Sequence, residues 1–123
     1  MNTFTIPQQL PTLNEYTLKC RAHWSRGAAF KADVENMLCL YINNAMRRGE
    51  CVPATRPCSI SIAWHEKTQR RDVDNIQSAQ KFILDAMQKC GVIKTDGRKW
   101  VKQINHTIVD DDEDKVIVAI FEV

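Results

Sequence analysis

The sequence has few of the features that mark fibrous, disordered or membrane-spanning proteins. Only 4 of its 123 residues are Gly and 4 are Pro, which excludes a collagen-like chain and a low-complexity disordered one. The longest apolar runs, Met37–Tyr41 and Val116–Phe121, fall far short of the roughly 20 residues that a membrane-spanning helix needs. Met1–Phe4 lacks the cationic and apolar segments of a signal peptide. We therefore expect no export and no membrane partner.

Cysteine is present but is not arranged for disulfides or zinc. The five cysteines are odd in number, and no two of them form a Cys-x-x-Cys pair. Structural disulfides belong mainly to oxidising compartments. The pattern indicates reduced, mostly packed thiols in a cytoplasmic protein. The five are Cys20, Cys39, Cys51, Cys58 and Cys90.

The charge is unevenly distributed along the chain. Residues 1–109 carry 16 Lys/Arg against 9 Asp/Glu, a net charge of +7, whereas residues 110–123 carry 1 Lys against 6 acids, a net charge of −5. A body with excess positive charge favours a polyanion such as DNA or RNA, whose phosphates supply most non-specific affinity. A soluble protein with an uneven surface shows the same imbalance, so charge alone leaves both interpretations open.

The length and apolar periodicity predict one α+β domain over residues 1–123. A chain of this size with 44% hydrophobic residues can bury a core of its own. The apolar spacing predicts a small mixed or antiparallel sheet with two main helices packed on it, in the order β-α-β-α-β-β. The acidic run Asp110–Asp114 suits the tip of an antiparallel hairpin between the last two strands. The predicted strands are 3–6, 58–65, 100–109 and 116–123, and the predicted helices are 27–48 and 75–89.

Two carboxylates lie close together where the second predicted helix begins. In Asp72-Val73-Asp74 an extended chain would place both side chains on the same side. Adjacent carboxylates repel unless a cation lies between them, and Mg²⁺ is typically held by one or two carboxylates. A helix cap neutralised by Arg70 and Arg71 is the structural alternative, and spacing alone leaves both open.

A third acid and a lysine follow this pair. Asp96 lies in the turn after the helix, where Asp is common. Lys81 either forms an ordinary helical ion pair with Asp85, four residues on, or leans back towards the two acids. The sequence alone does not choose between these orientations.

These residues together resemble the RusA family of Holliday-junction resolvases, which are small phage and bacterial endonucleases. The similarity lies in Arg71–Asn75, followed by Lys81 with Asp85–Met87, then Gly91 and Asp96. Pro11–Asn14 is also similar to the Pro/Asn loop near the start of that family. The close match covers roughly residues 70–96, and the size and element order fit most of the chain.

The resemblance implies a homodimeric, metal-dependent endonuclease of branched DNA in a bacterial or phage-encoded, cytoplasmic setting. Asp72, Asp74 and Asp96 would bind one or two Mg²⁺ or Mn²⁺ ions and act in catalysis. Lys81 would be the catalytic lysine, with Asn75 and Arg71 supporting the motif. The chain departs from the family at Ser78, where the lysine would otherwise stand. An insertion of Ser78-Ala79-Gln80 brings Lys81 into that role.

DNA contacts would come from basic side chains, which position phosphates without reading sequence. Trp24 or Tyr16 could stack on an unpaired base, with packing into the core as the alternative. A four-way junction needs two opposed nicks, so a C2 homodimer is expected. A non-cleaving protein that binds branched DNA, or a prophage regulatory protein, are the competing functions. The candidate phosphate contacts are Lys19, Arg21, Arg26, Lys31, Arg70, Arg98, Lys99 and Lys102.

Overall fold

Four strands form one mixed sheet, and helices cover one of its faces. The computed structural model describes residues 2–123, and it confirms the α+β class. The strand order in the sheet is β1-β4-β2-β3. The elements are β1 Thr3–Ile6, α1 Leu13–Ala22, α2 Trp24–Arg47, β2 Cys58–Glu66, α3 Val73–Gln77, α4 Gln80–Lys89, β3 Val101–Asp110 and β4 Lys115–Glu122.

The central strand β2 organises the core. Its residues alternate between buried and half-buried positions along the whole strand, because successive side chains of a strand point to opposite faces. The buried face packs against α2 and α4, whose inward side chains include Leu38, Ile42, Ile83 and Met87. Trp64 of β2 is one of the largest fully buried side chains.

The predicted hairpin between the last two strands is wrong. Strand β2 lies between them, parallel to β3 and antiparallel to β4. The acidic segment therefore crosses the end of β2 instead of closing a hairpin. There the backbone N–H of Lys67 donates to Asp114 Oδ1 at 2.7 Å, and Asp111 Oδ2 lies 2.7 Å from His65 Nδ1. Asp111 and Asp114 thus hold the segment against the end of β2. The acidic segment is therefore a connection across β2 and not a tight turn.

Helix α1 was missed by the periodicity because it has no buried residue. It begins at a capping Thr12, whose Oγ1 accepts from the Glu15 N–H at 3.1 Å. Tyr16 attaches the helix to the core by stacking on Phe30 and meeting Phe82 edge-on. The next helix, α2, starts at Trp24, three residues before the predicted start.

The second predicted helix is two helices. Helix α3 ends at Gln77 and α4 begins at Gln80. At the break, Ser78 Oγ donates to the Asn75 carbonyl at 2.6 Å and accepts from the Leu13 N–H at 3.1 Å. A serine side chain that bonds the preceding turn competes with helical continuity. The break falls within the three residues interpreted above as an insertion.

All five cysteines are free thiols, as their number and spacing predicted. Burial raises the pKa of Cys90 to about 12, which makes that thiol unreactive. None of the helices in residues 2–123 combines the length and apolar character required to cross a membrane.

Candidate active site

An ion pair fixes the chain just before the two adjacent aspartates. Arg71 Nε and Nη2 donate to the two carboxylate oxygens of Glu66 at 3.0 and 2.9 Å. A third bond runs from Arg71 Nη1 to the carbonyl of Leu10 at 2.9 Å. Glu66 is only 5% exposed, so this bidentate pair is shielded from water. Arg71 therefore anchors the backbone that leads into Asp72.

Asp72 and Asp74 lie at the start of α3 with exposed carboxylates. Asp72 is the N-cap residue, yet its side chain makes no capping hydrogen bond. Asp74 Oδ1 accepts from the N–H of its neighbour Asn75 at 3.0 Å. Both carboxylates keep oxygens directed to solvent. Two hard oxygen donors near a helix N-terminus fit the one or two carboxylates with which Mg²⁺ is usually held.

The loop before α1 contacts this segment. Asn14 Nδ2 donates to Asn75 Oδ1 at 3.2 Å, and the Leu13 N–H donates to Ser78 Oγ. The two stretches that carry the family resemblance, 11–14 and 71–75, therefore touch in the folded chain. Asn75 is thereby oriented by a residue 61 positions away.

Lys81 contacts Asp96 and Asp85. Its Nζ lies 3.1 Å from Asp85 Oδ1 and 3.4 Å from Asp96 Oδ2. The hydrogen bond to Asp85, followed by the weaker influence of Asp96, raises the pKa of Lys81 above its ordinary value of 10.5. These contacts direct the side chain towards the later turns of α4. The helical ion pair with Asp85 is therefore confirmed, and the alternative in which Lys81 leans back to Asp72 and Asp74 is wrong.

The three aspartates assigned to the site are not gathered at one point. Asp96 lies beside the last turns of α4, where its N–H donates to Gln88 Oε1 at 2.9 Å, whereas Asp72 and Asp74 precede that helix. Among residues 2–123 no group of three His, Cys, Asp or Glu side chains is placed to hold one metal ion. The structure thus joins Lys81 to Asp96 and keeps Asp72 with Asp74.

The segment that follows Asp96 forms a basic groove. Arg98, Lys99, Val101 and Lys102 line an open groove of about 630 Å³. Beside them the Lys94 ammonium lies 6.0 Å from the ring centre of Trp100, within cation–π range. Segment 94–102 carries four cations and a single acid.

The other cations proposed for DNA lie in different surroundings. Lys31 pairs with Asp85 at 3.5 Å and with Glu35 at 3.9 Å, so its charge is already balanced. Arg70 is exposed just before the acid segment. Lys19, Arg21 and Arg26 are exposed around the corner between α1 and α2.

The two aromatic residues considered for base stacking, Tyr16 and Trp24, differ in their exposure to solvent. Tyr16 packs between Phe30 and Phe82, as the packing alternative predicted. Trp24 is 76% exposed, so the core alternative is wrong for this residue. An apolar side chain at the first position of a helix that follows a sharp corner has no core to face.

Sequence reasoning missed Glu66, although a signal for it was present. Cys58, Ile60, Ile62 and Trp64 share one face of β2, and Glu66 continues the same parity. Strand alternation alone predicts that the Glu66 side chain points inward. A buried carboxylate needs a positively charged partner. Arg71 is that cation.

His106 was also missed as part of a half-buried chain of polar side chains. Trp64 Nε1 donates to His106 Nδ1 at 3.0 Å, and His106 Nε2 lies 2.8 Å from Gln80 Oε1. Because Nδ1 accepts, Nε2 carries the proton and donates to Gln80. Burial lowers the pKa of His106. The chain of bonds fixes the first residue of α4, next to Lys81.

No protein-family model matches the chain, and no curated protein matches it either.

Proposed function

We propose that this protein is a Mg²⁺-dependent endodeoxyribonuclease that resolves four-way DNA junctions as a homodimer. The contact between Lys81 and Asp96 carries the proposal. It joins two side chains 15 positions apart that the RusA resemblance assigns to one site. Lys81 lies in the first turn of α4, directly after the break from α3 at which the resemblance requires an insertion.

The acids supply the ligands for the metal. The exposed oxygens of Asp72 and Asp74 are the donors that would hold Mg²⁺ or Mn²⁺. When bound, the ion lowers the pKa of a coordinated water and stabilises charge on the phosphoryl group. Arg71 keeps the chain before these carboxylates in place through its bonds to Glu66 and Leu10.

Lys81 supplies a positive charge that is held in place. Asp85 and Asp96 orient its ammonium and favour its protonated form. A protonated amine close to the scissile phosphate would offset negative charge in the transition state or protonate the leaving 3′-oxygen. This role predicts a loss of rate without a loss of DNA affinity when the amine is removed.

The groove next to Asp96 supports a nucleic-acid substrate. Arg98, Lys99 and Lys102 converge on one groove, which suits the closely spaced charges of a phosphate backbone. A junction presents two equivalent strands for cleavage, and one chain carries only one pair of candidate metal ligands, Asp72 and Asp74. A C2 homodimer places two sites in opposed orientations. Five free thiols fit the reducing cytoplasm of a bacterium, whether the gene is bacterial or carried by a phage.

A protein that binds branched DNA without cutting it is the second candidate. The observation that favours it is the charge balance at Asp96, whose carboxylate is already paired with Lys81. A non-cleaving protein would bind the junction but give no cleavage product in Mg²⁺. A prophage regulatory protein would bind neither junctions nor the metal.

Incubation with a labelled four-way junction, with and without Mg²⁺, tests the proposal. We expect two symmetric nicks in Mg²⁺ and none in EDTA. Asp74→Asn should abolish nicking while leaving junction binding intact. Glu50→Gln is the matched control, because it removes one exposed negative charge from the loop after α2. Nicking that survives Asp74→Asn would reject the assigned site, and binding without nicking by the unaltered protein would favour the second candidate.

A further inference from the structure

An exposed tryptophan marks the corner between the first two helices. Trp24 is the first residue of α2 and is 76% exposed, the largest exposed fraction among the exposed large hydrophobic side chains. Neither of the other tryptophans is comparable, since Trp64 is 1% exposed and Trp100 is half-buried. At this exposure the indole gains little from the core, and its large aromatic face is available to a ligand.

The indole is held in a fixed orientation. Its ring stacks on His23, with the ring centres 5.7 Å apart and the planes inclined by 30°. His23 is itself fixed, because its Nδ1 accepts from the Ser25 N–H at 3.2 Å and lies 2.7 Å from Ser25 Oγ. His23 therefore supports part of the indole, and most of the remaining ring surface is open to solvent. Such a surface loses little conformational entropy on binding.

The corner that carries Trp24 is closely packed. Gly27 is buried against α1, and a Cβ at this position would lie 2.3 Å from Cys20 Sγ and 3.1 Å from Cys20 Cα. Rotation of the Cys20 side chain could relieve the contact with Sγ, whereas the tight contact with Cα would remain. The two helices approach this closely only because residue 27 is glycine. Trp24 thus projects from a rigid support.

The segment that contains Trp24 carries an excess of positive charge. Segment 19–26 contains three cations and no acid. Arg21 lines a groove of about 350 Å³ with Asn14, Thr17 and Leu18. Lys19 and Arg26 line a second groove of about 250 Å³ with Ala29, Phe30 and Asp33. An exposed aromatic ring in a segment with three cations is complementary to a base and its flanking phosphates.

Helix α1 connects this corner to the acid segment. Its first turn contacts α3 through Asn14 and Asn75, and Trp24 lies two residues after its end. Ten residues of helix span about 15 Å at 1.5 Å per residue. A base at the corner and a phosphate at the acids would therefore belong to neighbouring parts of one branched substrate.

We propose that Trp24 stacks on an unstacked base at the branch point of DNA, with Lys19, Arg21 and Arg26 holding the adjoining phosphates. The inference rests on the proposed function, since it specifies how the same substrate is recognised as branched. Duplex DNA offers no open base face in its interior, whereas the branch does. The contact would therefore discriminate junctions from linear duplex.

Fluorescence of a base analogue tests this contact without cleavage. A junction with 2-aminopurine at the branch is titrated with protein in EDTA, and emission and affinity are measured together. We expect the unaltered protein to change the emission. Trp24→Ala should remove that change and weaken junction binding by about fivefold to a hundredfold, the range for loss of one base–aromatic stack. Trp24→Phe should retain part of both. Binding to linear duplex should be equal for all three.

Leu40→Ala is the matched control, because Leu40 is 58% exposed on α2 and has no aromatic face. Circular dichroism checks that each variant is folded. If Trp24→Ala changed the emission as the unaltered protein does and bound the junction equally well, the inference would be overturned. The proposed function would still be tested separately, by nicking with the unaltered protein. Junction binding that depends on Trp24, without nicking in Mg²⁺, would reject the nuclease and keep the inference. A halved molecular mass for Trp24→Ala in sedimentation would overturn it in favour of docking to a second copy of the chain.

Discussion

Arg71 binds both carboxylate oxygens of Glu66, and this pair is the most completely shielded ion pair at the candidate site. The exposed fractions of the two side chains are 18% and 5%. Removing the guanidinium would leave a buried carboxylate without a counter-charge, which typically costs about 3–5 kcal/mol. Arg71→Ala should therefore lower the free energy of unfolding by roughly 3 kcal/mol, as measured by chemical denaturation.

The pair of Arg48 with Glu50 is the control for this prediction. Both side chains are at least half exposed, and exposed pairs contribute about 0–1 kcal/mol. Arg48→Ala should consequently change stability little. Equal effects of the two substitutions would show that burial does not govern the Arg71 pair.

The half-buried His106 predicts a loss of stability in mild acid. Burial lowers its pKa in the folded state below the ordinary value of 6.5, so the unfolded chain binds the proton first. The free energy of unfolding should be unaffected above about pH 7 and should fall as the pH drops below 6.5. Protonation of Nδ1 would also remove the acceptor for Trp64 Nε1.

Denaturation between pH 5 and 8 measures this effect, and His106→Gln supplies the comparison. The variant cannot titrate, so its stability should be less dependent on pH in that window. Asp111 does not interfere, because the hydrogen bond from His65 lowers its pKa below 3.8. The same slope in both proteins would assign the acid sensitivity to another group.

Gly27→Ala should destabilise the corner between α1 and α2. The added Cβ would clash with Cys20 Sγ at 2.3 Å and make a tight contact with Cys20 Cα at 3.1 Å, and such overpacking typically costs about 1–3 kcal/mol. Gly97→Ala is the control, because the nearest contact of its Cβ is the side chain of Thr95 at 3.3 Å, which can move. Thermal denaturation of the two variants distinguishes them, and equal midpoints would show that the corner is not tightly packed.

Lys81 and Ser78 should be separable by experiment. Lys81→Ala should slow cleavage and spare junction binding, because it removes the charge that Asp85 and Asp96 hold. Ser78→Ala should leave the cleavage rate of the folded protein unchanged and cost about 1 kcal/mol of stability, because its hydroxyl bonds Asn75 and Leu13. Single-turnover kinetics and denaturation report the two effects, and the reverse ranking would place the family's lysine position at Ser78.

The basic groove predicts a salt dependence of DNA binding. Lys99→Gln and Lys102→Gln should each reduce the slope of log K against log salt by about 1, as expected for loss of one phosphate contact. Lys89→Gln is the control, since Lys89 lies at the end of α4 and contacts Asn36. A slope unchanged by the groove variants would move the phosphate contacts elsewhere on the surface.

The elements with a strong periodicity of apolar residues could be predicted from the sequence. Those that are attached to the core by a few individual side chains could not. Strand β1 and the alternation of β2 followed directly from side-chain parity. Helix α1 has no buried residue, so no apolar stripe signalled it. The sheet order could not be deduced, because β3 and β4 meet β2 through long-range pairing that leaves no local pattern. At the site, sequence indicated Lys81 near an acid but not which one, since a flexible side chain is oriented by its neighbours.

Cleavage of a plasmid that extrudes a cruciform tests the central claim most directly. A homodimer with two opposed sites cuts both strands within one binding event, so the account predicts linear plasmid as the main product in Mg²⁺ and none in EDTA. Asp74→Asn should yield neither linear nor nicked plasmid. Intact supercoiled plasmid after incubation of the unaltered protein with Mg²⁺, at concentrations that bind the cruciform, would contradict the account.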